Sequence, residues 1–284
     1  MNIIQVYKRF PKHENCIRHL EQVRWNGVPR CPYCKSTSTT ATPKELRHHC
    51  NNCNTAFSVT VQTIFHNSKL DLQRWFLALA LILNAKKGIS ARQLARDIEV
   101  NKNTAWYMAM RIRKALVDSG ELLRGIVEVD ETYIGGKPRK GGPPRKRGRG
   151  TSKTPVVGAV ERKGNVKAKV MVWLDAKRLT TLVRGTVDLA NAIVMTDEFK
   201  GYNQLKFLTI HRTVNHSRGQ YVNGDIHTNT IDGFWALLKR GIIGQYHKVS
   251  LAYLQKYIDE FAFRYNNRKN AAVFDLAISK AIGG

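Results

Sequence analysis

Four cysteines constrain this chain more tightly than anything else in it: Cys31-x2-Cys34-x15-Cys50-x2-Cys53. Each CxxC pair supplies two soft ligands from one tight turn, and two such pairs complete the tetrahedron that Zn²⁺ prefers. The stretch between them, KSTSTTATPKELRHH, suits a short hairpin, and TAFSVTVQTIF after the second pair reads as strand. A structural zinc folds a module too small for a core of its own and does no chemistry. Redox pairs are the competing reading of the same cysteines. His48 and His49 stand beside Cys50, but four thiolates already fill the shell, so both read as surface or packing residues. Cys16, the fifth cysteine, reads as a small buried hydrophobe. An odd count with two CxxC pairs argues against a secreted disulfide scaffold and for a reducing compartment.

Residues 70–118 carry helical periodicity. LDLQRWFLALALILNAKKG has Asp71 near its start and Gly88 past its end, and its apolar run at 75–85 is too short to span a bilayer. SARQLARDIEVNKNTAWYMAMRIRKAL follows. Ser90 can cap one helix, EVNKNT is a turn with Asn103 or Thr104 as the next cap, and the second helix bears Arg111, Arg113 and Lys114. A helix, a short turn and a basic helix form the helix-turn-helix pattern, whose second helix enters a major groove. Lys102, Arg111 and Arg113 are its candidate DNA contacts; a hairpin used only for packing is the alternative.

Net charge says what such a front end is for. With 47 Lys and Arg against 21 Asp and Glu the formal charge is +26, which predicts a polyanionic partner, most simply nucleic acid. The stretch 137–153, KPRKGGPPRKRGRGTSK, holds eight Lys and Arg and cannot pack into a core. It reads as a basic loop, with Arg145, Lys146, Arg147 and Arg149 as candidate phosphate contacts. The start, MNIIQVYKRF, lacks the apolar region of a signal peptide. A cytoplasmic protein with no membrane partner is expected.

In so basic a chain, isolated carboxylates stand out. GIVEVDETYIGG has an apolar run ending in Asp130 and Glu131, and NAIVMTDEFKGY has another ending in Asp197 and Glu198. A buried strand that ends in a carboxylate places it at a sheet rim, where a metal offsets its cost. Asp232 lies 35 residues after Asp197, in a helical segment whose Ile231, Phe234, Trp235 and Leu238 share one face. Lys239 follows two turns later and Arg240 next to it, both suited to phosphate. Converging carboxylates of this kind hold two divalent ions, Mg²⁺ or Mn²⁺, about 3.5–4 Å apart, an arrangement that cuts phosphodiesters. Between the first two acids, TPVVGAVERKGNVKAKVMVWLDAK reads as two strands around Lys163-Gly164-Asn165, and RLTTLVRGTVDL as a helix. The tail SLAYLQKYIDEFAFRYNNRK is amphipathic and expected to pack on the same sheet.

Taken in order, CPYC…CNNC, VDETYIGG, IVMTDEFKGY, HTNTIDGFWALLKRGIIGQYHKVS and YLQKYIDEFAFRYNNR cover nearly the whole chain. They resemble the DDE-type insertion-sequence transposases with an N-terminal zinc ribbon, bacterial relatives of the Merlin transposons. The resemblance implies an α/β, RNase H-like core (a mixed sheet flanked by helices) that uses Mg²⁺ to cut double-stranded DNA at transposon ends and join the 3′ ends to target DNA. It also implies a homodimer or larger synaptic complex, in a bacterial cytoplasm and on the nucleoid when DNA-bound. The triad falls on Asp130, Asp197 and Asp232, with Lys239 as helper and His227 and Asn229 in the preceding HTN. Most such relatives carry Glu at the third position; Asp is one methylene shorter, about 1.5 Å. The expected divisions are a ribbon module at 1–68, a helical region at 69–120 and a catalytic domain at 121–284. Two other readings fit the same features: an inactive, domesticated DNA-binding protein or repressor of transposition, and an RNase H-like nuclease that cuts without joining.

Overall fold

A computed structural model describes residues 1–117, 120–136, 151–214 and 227–283. The chain forms two compact units, Met1–Val117 with Lys269–Gly284, and Asp118–Arg268. The expected division differs from this: the ribbon module at 1–68 and the helical region at 69–120 fall in one unit, and residues from 269 onward leave the expected catalytic domain and join it.

The first unit opens with two helices that the sequence reading passed over, α1 (Ile3–Arg9) and α2 (His13–Trp25). Then come the short strands β1 (Thr39–Thr42), β2 (Arg47–Cys50) and β3 (Thr55–Phe57), an antiparallel sheet in that order. The strand expected over 55–65 therefore ends at Phe57, and turns follow it. Helix α3 (Leu72–Asn84) is apolar nearly all round and buries Trp75, Phe76, Leu77, Leu79 and Ile82, as a core helix should. Helices α4 (Ala91–Asp97) and α5 (Lys102–Ala115) form the anticipated helix-turn-helix pair. The Ser90 hydroxyl caps α4, accepting from the Gln93 N–H at 3.2 Å. The cap of α5 is Asn101, accepting from the Asn103 N–H at 2.8 Å, two residues before the expected start.

The second unit is built on a five-stranded sheet. Its strands are β4 (Leu123–Ile134), β5 (Thr154–Glu161), β6 (Val166–Val170), β7 (Val187–Asp197) and β8 (Ile210–Val214). Their order is β6-β5-β4-β7-β8, with β4, β5 and β6 antiparallel neighbours and β7 and β8 parallel to β4. Helix α6 (Ala176–Thr186) lies between β6 and β7 in sequence, and α7 (Asn229–Gly241) and α8 (Leu251–Asn266) follow β8. This order, with helices on both faces, is the RNase H-like arrangement. Alternation divides each strand between two cores. Val127, Val129, Val157, Ala159 and Val194 pack against Leu179 and Val183 of α6. Ile134, Val156, Val160 and Val166 pack against Ile231, Phe234, Trp235 and Leu238 of α7 and Ile258 and Phe261 of α8.

Two boundaries move. β4 runs on to Ile134, so Asp130 sits inside a strand rather than at its end. The residues VDL, read as helix, open β7 instead. Both follow from β-branched and alternating residues (Thr132 and Ile134; Val187 and Leu189) that extend a strand beyond its apolar run.

Candidate active site

The four cysteines form a closed set. All four Sγ atoms lie within 4.8 Å of one another. The Cys31–Cys53 pair is 3.7 Å apart and the Cys34–Cys50 pair 3.5 Å. A tetrahedron with Zn–S of about 2.3 Å has edges of about 3.8 Å, so the donor set fits zinc. His48 is a packing residue, as expected: its Nε2 is 2.8 Å from Glu21 Oε1 and its ring stacks on Phe57. Cys16 is buried, and burial, ahead of the charges of Asp71 and Glu14, pushes its thiol up to about 12.

The three aspartates come from β4, β7 and α7. Strand register places the first two. Glu128 pairs with Met195 at the end of the parallel β4–β7 ladder, and Asp130 and Asp197 follow two residues on in their strands. Both face α7, because Val127, Val129 and Val194 occupy the other side. Asp232 opens the exposed edge of α7, while Ile231, Phe234, Trp235 and Leu238 anchor that helix in the core. Burial raises the Asp130 carboxyl from 3.8 to about 7, and the charges of Glu131, Asp232 and Asp197 add to the rise. The aspartates thus act on one another's charge. Among the described residues, however, the cysteine set is the one whose ligand atoms all close to within 4.8 Å.

Hydrogen bonds fix the surroundings. Trp235 Nε1 donates to Asp130 Oδ2 at 3.0 Å, tying α7 to β4. The Phe199 N–H donates to Asp197 Oδ1 at 3.1 Å. Glu131 points to the other face, where the buried Tyr202 hydroxyl donates to its Oε2 at 2.9 Å, an orienting role. Lys239 and Arg240 are exposed, and Lys239 lines a cleft of about 370 Å³ together with Lys153 and Lys248.

The sequence passed over Glu128, which is fully buried. Its carboxylate accepts from Arg162 Nε at 2.7 Å, from the Thr230 N–H at 2.8 Å and hydroxyl at 2.9 Å, and from the Ile231 N–H at 3.0 Å. His227 Nδ1 stands 3.3 Å away. One signal was available: Glu128 and Asp130 are two apart on a strand and so share a face.

Among the candidate DNA contacts, Lys102 is exposed at the start of α5. Arg111 is committed internally, donating to the Thr63 and His66 carbonyls, each at 3.0 Å, and to the Tyr107 hydroxyl at 2.8 Å. Arg113 is 2% exposed, which corrects its reading as a DNA contact. It lies on the face of α5 that also buries Ala109, Met110 and Ile112. Arg145, Lys146, Arg147 and Arg149 lie outside the described residues.

Two families of domain match this chain. An ISXO2-like transposase domain covers residues 122–266, just over half of the sequence, and a transposase zinc-ribbon domain covers 11–56. The chain belongs to the ISXO2-like (IS1595) transposases. A protein of the transposable element ISH50 of Halobacterium salinarum, itself uncharacterized, is 29% identical over 90% of this chain and 92% of its own length. Solved structures are more distant. The Mos1 strand transfer complex is 16% identical over 73% of this transposase and 75% of that chain, with a TM-score of 0.31. The Mos1 mariner paired end complex with Mn is 16% identical over 72% and 75%, with a TM-score of 0.30. No helix among the described residues is long and apolar enough to cross a membrane.

Proposed function

We propose that this transposase binds the terminal repeats of its element in double-stranded DNA, cuts phosphodiester bonds there and joins the 3′ ends to target DNA. What supports this reading is the placement of Asp130 and Asp197 on the neighbouring strands β4 and β7 and of Asp232 on α7, which Trp235 ties to Asp130, in a chain of formal charge +26. Three carboxylates drawn together are a hard-oxygen donor set, suited to Mg²⁺ or Mn²⁺. Burial, ahead of the charges of Glu131, Asp232 and Asp197, holds the Asp130 carboxyl up at about 7, and a divalent cation bound there would offset the cost of ionising it. Bound there, two such ions would supply activation of a water or 3′-hydroxyl and stabilisation of the leaving oxygen.

The chain's own residues do the rest. Trp235 holds one Asp130 oxygen, and the Phe199 N–H holds one of Asp197. Lys239 and Arg240 offer cations to phosphates beside the scissile bond. Lys102 reaches DNA from the exposed start of α5, and Arg145, Lys146, Arg147 and Arg149 add phosphate contacts. The zinc ribbon, with Cys31, Cys34, Cys50 and Cys53 as ligands, stabilises the end-binding unit. Two ends must be held at once for joining, which favours a homodimer or larger synaptic assembly working in the cytoplasm.

The test incubates purified protein with a labelled terminal repeat and Mg²⁺ or Mn²⁺. Wild type should cut and join; Asp130→Ala, Asp197→Ala and Asp232→Ala should bind the end and leave it intact; Asp232→Glu should equal or exceed wild type. Cleavage without joined product would make the protein a nuclease. Binding without cleavage by wild type, with cutting restored in Asp232→Glu, would make it an inactive DNA-binding descendant.

A further inference from the structure

Helix α7 begins with little local capping: the Thr228 side chain makes no capping hydrogen bond, and His227 Nδ1 accepts only the Asn229 N–H, at 3.4 Å. The first amides of a helix need acceptors, and a buried helix start without them is costly. Here the acceptor comes from 102 and 103 residues away. Glu128 Oε2 takes both the Thr230 and Ile231 N–H groups, and Oε1 takes the Thr230 hydroxyl. The negative carboxylate also sits at the positive end of the helix dipole.

A wholly buried carboxylate is itself expensive unless paired and hydrogen-bonded. Arg162 meets that need: its Nε donates to Oε1, and its Nη2 donates to the His227 carbonyl at 2.9 Å, just ahead of α7. Arg162 is in turn fixed at its backbone, where its N–H donates to the Ile126 carbonyl of β4 at 3.0 Å. Strand β4, the end of β5 and the start of α7 are thereby locked through one carboxylate. Asp130 lies two residues along β4 from it, and Asp232 one residue beyond the capped amides.

We propose that Glu128 is a positioning residue that sets the helix bearing Asp232 and Lys239 against the strand bearing Asp130. This rests on the reading of those aspartates as metal ligands. Both oxygens are needed. A glutamine has one carbonyl oxygen, and its NH₂ must then face either the helix amides or Arg162, donor against donor. Glu128→Gln therefore tilts or withdraws the start of α7 with little change in side-chain volume. A displacement near 1 Å costs about a hundredfold in rate.

The test uses the full chain at a temperature below each variant's melting transition. Three quantities are read besides end binding: hydrogen exchange of the Thr230 and Ile231 amides without metal, Mn²⁺ binding to the DNA-free protein by EPR, and end cleavage as a function of Mg²⁺. For Glu128→Gln we expect faster exchange at both amides, roughly tenfold weaker Mn²⁺ binding, about a hundredfold slower cleavage and end binding within about twofold of wild type. Arg162→Lys and Thr230→Val remove less of the network and should move all three readouts the same way, by less; they decide the matter if Glu128→Gln does not fold. Unchanged Mn²⁺ affinity in the folded variants overturns the proposal and leaves Glu128 a residue of stability alone. Asp130→Ala separates the two levels. If it still cuts, the catalytic reading fails. If it is inactive while Glu128→Gln cuts and binds Mn²⁺ like wild type, only the positioning role fails.

Discussion

Asp130 titrates near 7 rather than 3.8 because burial and three neighbouring carboxylates oppose its charge. That shift has a sign in the stability of the metal-free protein. The unfolded chain releases this proton near 4 and the folded chain near 7, so the folded state binds more protons between those values. Stability therefore falls as pH rises from about 4 to about 7, and the penalty is complete above 7. Asp130→Asn removes it. The variant should melt higher than wild type at pH 8, by a few kcal/mol at most on the scale of about 1.4 kcal/mol per pKa unit, and the gain should vanish towards pH 4. Mg²⁺ should raise the melting temperature of wild type and not of the variant. Calorimetry across that pH range, with and without Mg²⁺, checks both. The aspartates were legible because a carboxylate after an apolar run is rare in a basic chain. Glu128 was not, since a single Glu within a strand usually marks a solvated face. Its burial depends on Arg162 and on two amides more than 100 residues away, and no local pattern encodes that.

At the scale of elements, α7 reaches β4 only because β5 leaves room. Gly158 lies opposite Asp130 in the β4–β5 ladder. A Cβ at Gly158 would come within 2.6 Å of Trp235 Cη2 and 3.1 Å of Ile231 Cδ1. The glycine is needed for closeness rather than for an unusual backbone angle. Gly158→Ala should push Trp235 off Asp130, at about 1–3 kcal/mol of overpacking, and slow end cleavage more than it weakens end binding. An unshifted Trp235 fluorescence spectrum and unchanged cleavage would count against this account. Much of this level could be read in advance. The apolar face of α7, the β5–β6 hairpin at Lys163-Gly164-Asn165, the cysteine hairpin and the helix-turn-helix pair all rest on periods and turns within a few residues. The ends of β4 and β7 misled, because a strand's length is set by its partners. β4 continues past Asp130 alongside Pro155 and Thr154 of β5.

Across the whole molecule, sequence order and compact units part company at the C-terminal end. Helix α9 (Val273–Ile282) belongs to the unit that begins at Met1. Its Phe274 ring packs on Phe76 at 5.8 Å, Asp275 pairs with Arg9 at 3.1 Å, and the Ala281 carbonyl accepts from the Ile64 N–H at 3.1 Å. Phe274, Ile278 and Ile282 are buried there, each side chain contributing about 1.5–3 kcal/mol. That is a large share of the roughly 5–15 kcal/mol that holds a domain folded. Deleting residues 269–284 should therefore raise hydrogen exchange in α3 and abolish end binding, while the amides of β4 and β5 stay protected. Nothing in the sequence of α9 names its partner, since an amphipathic helix suits any apolar surface of the right width. During synthesis the first unit must wait for α9, which follows the second unit in the chain. A nascent chain thus completes its first unit only after residues 118–268 have been made. A chain cut short before α9 would keep the second unit and lose a packing element of the first.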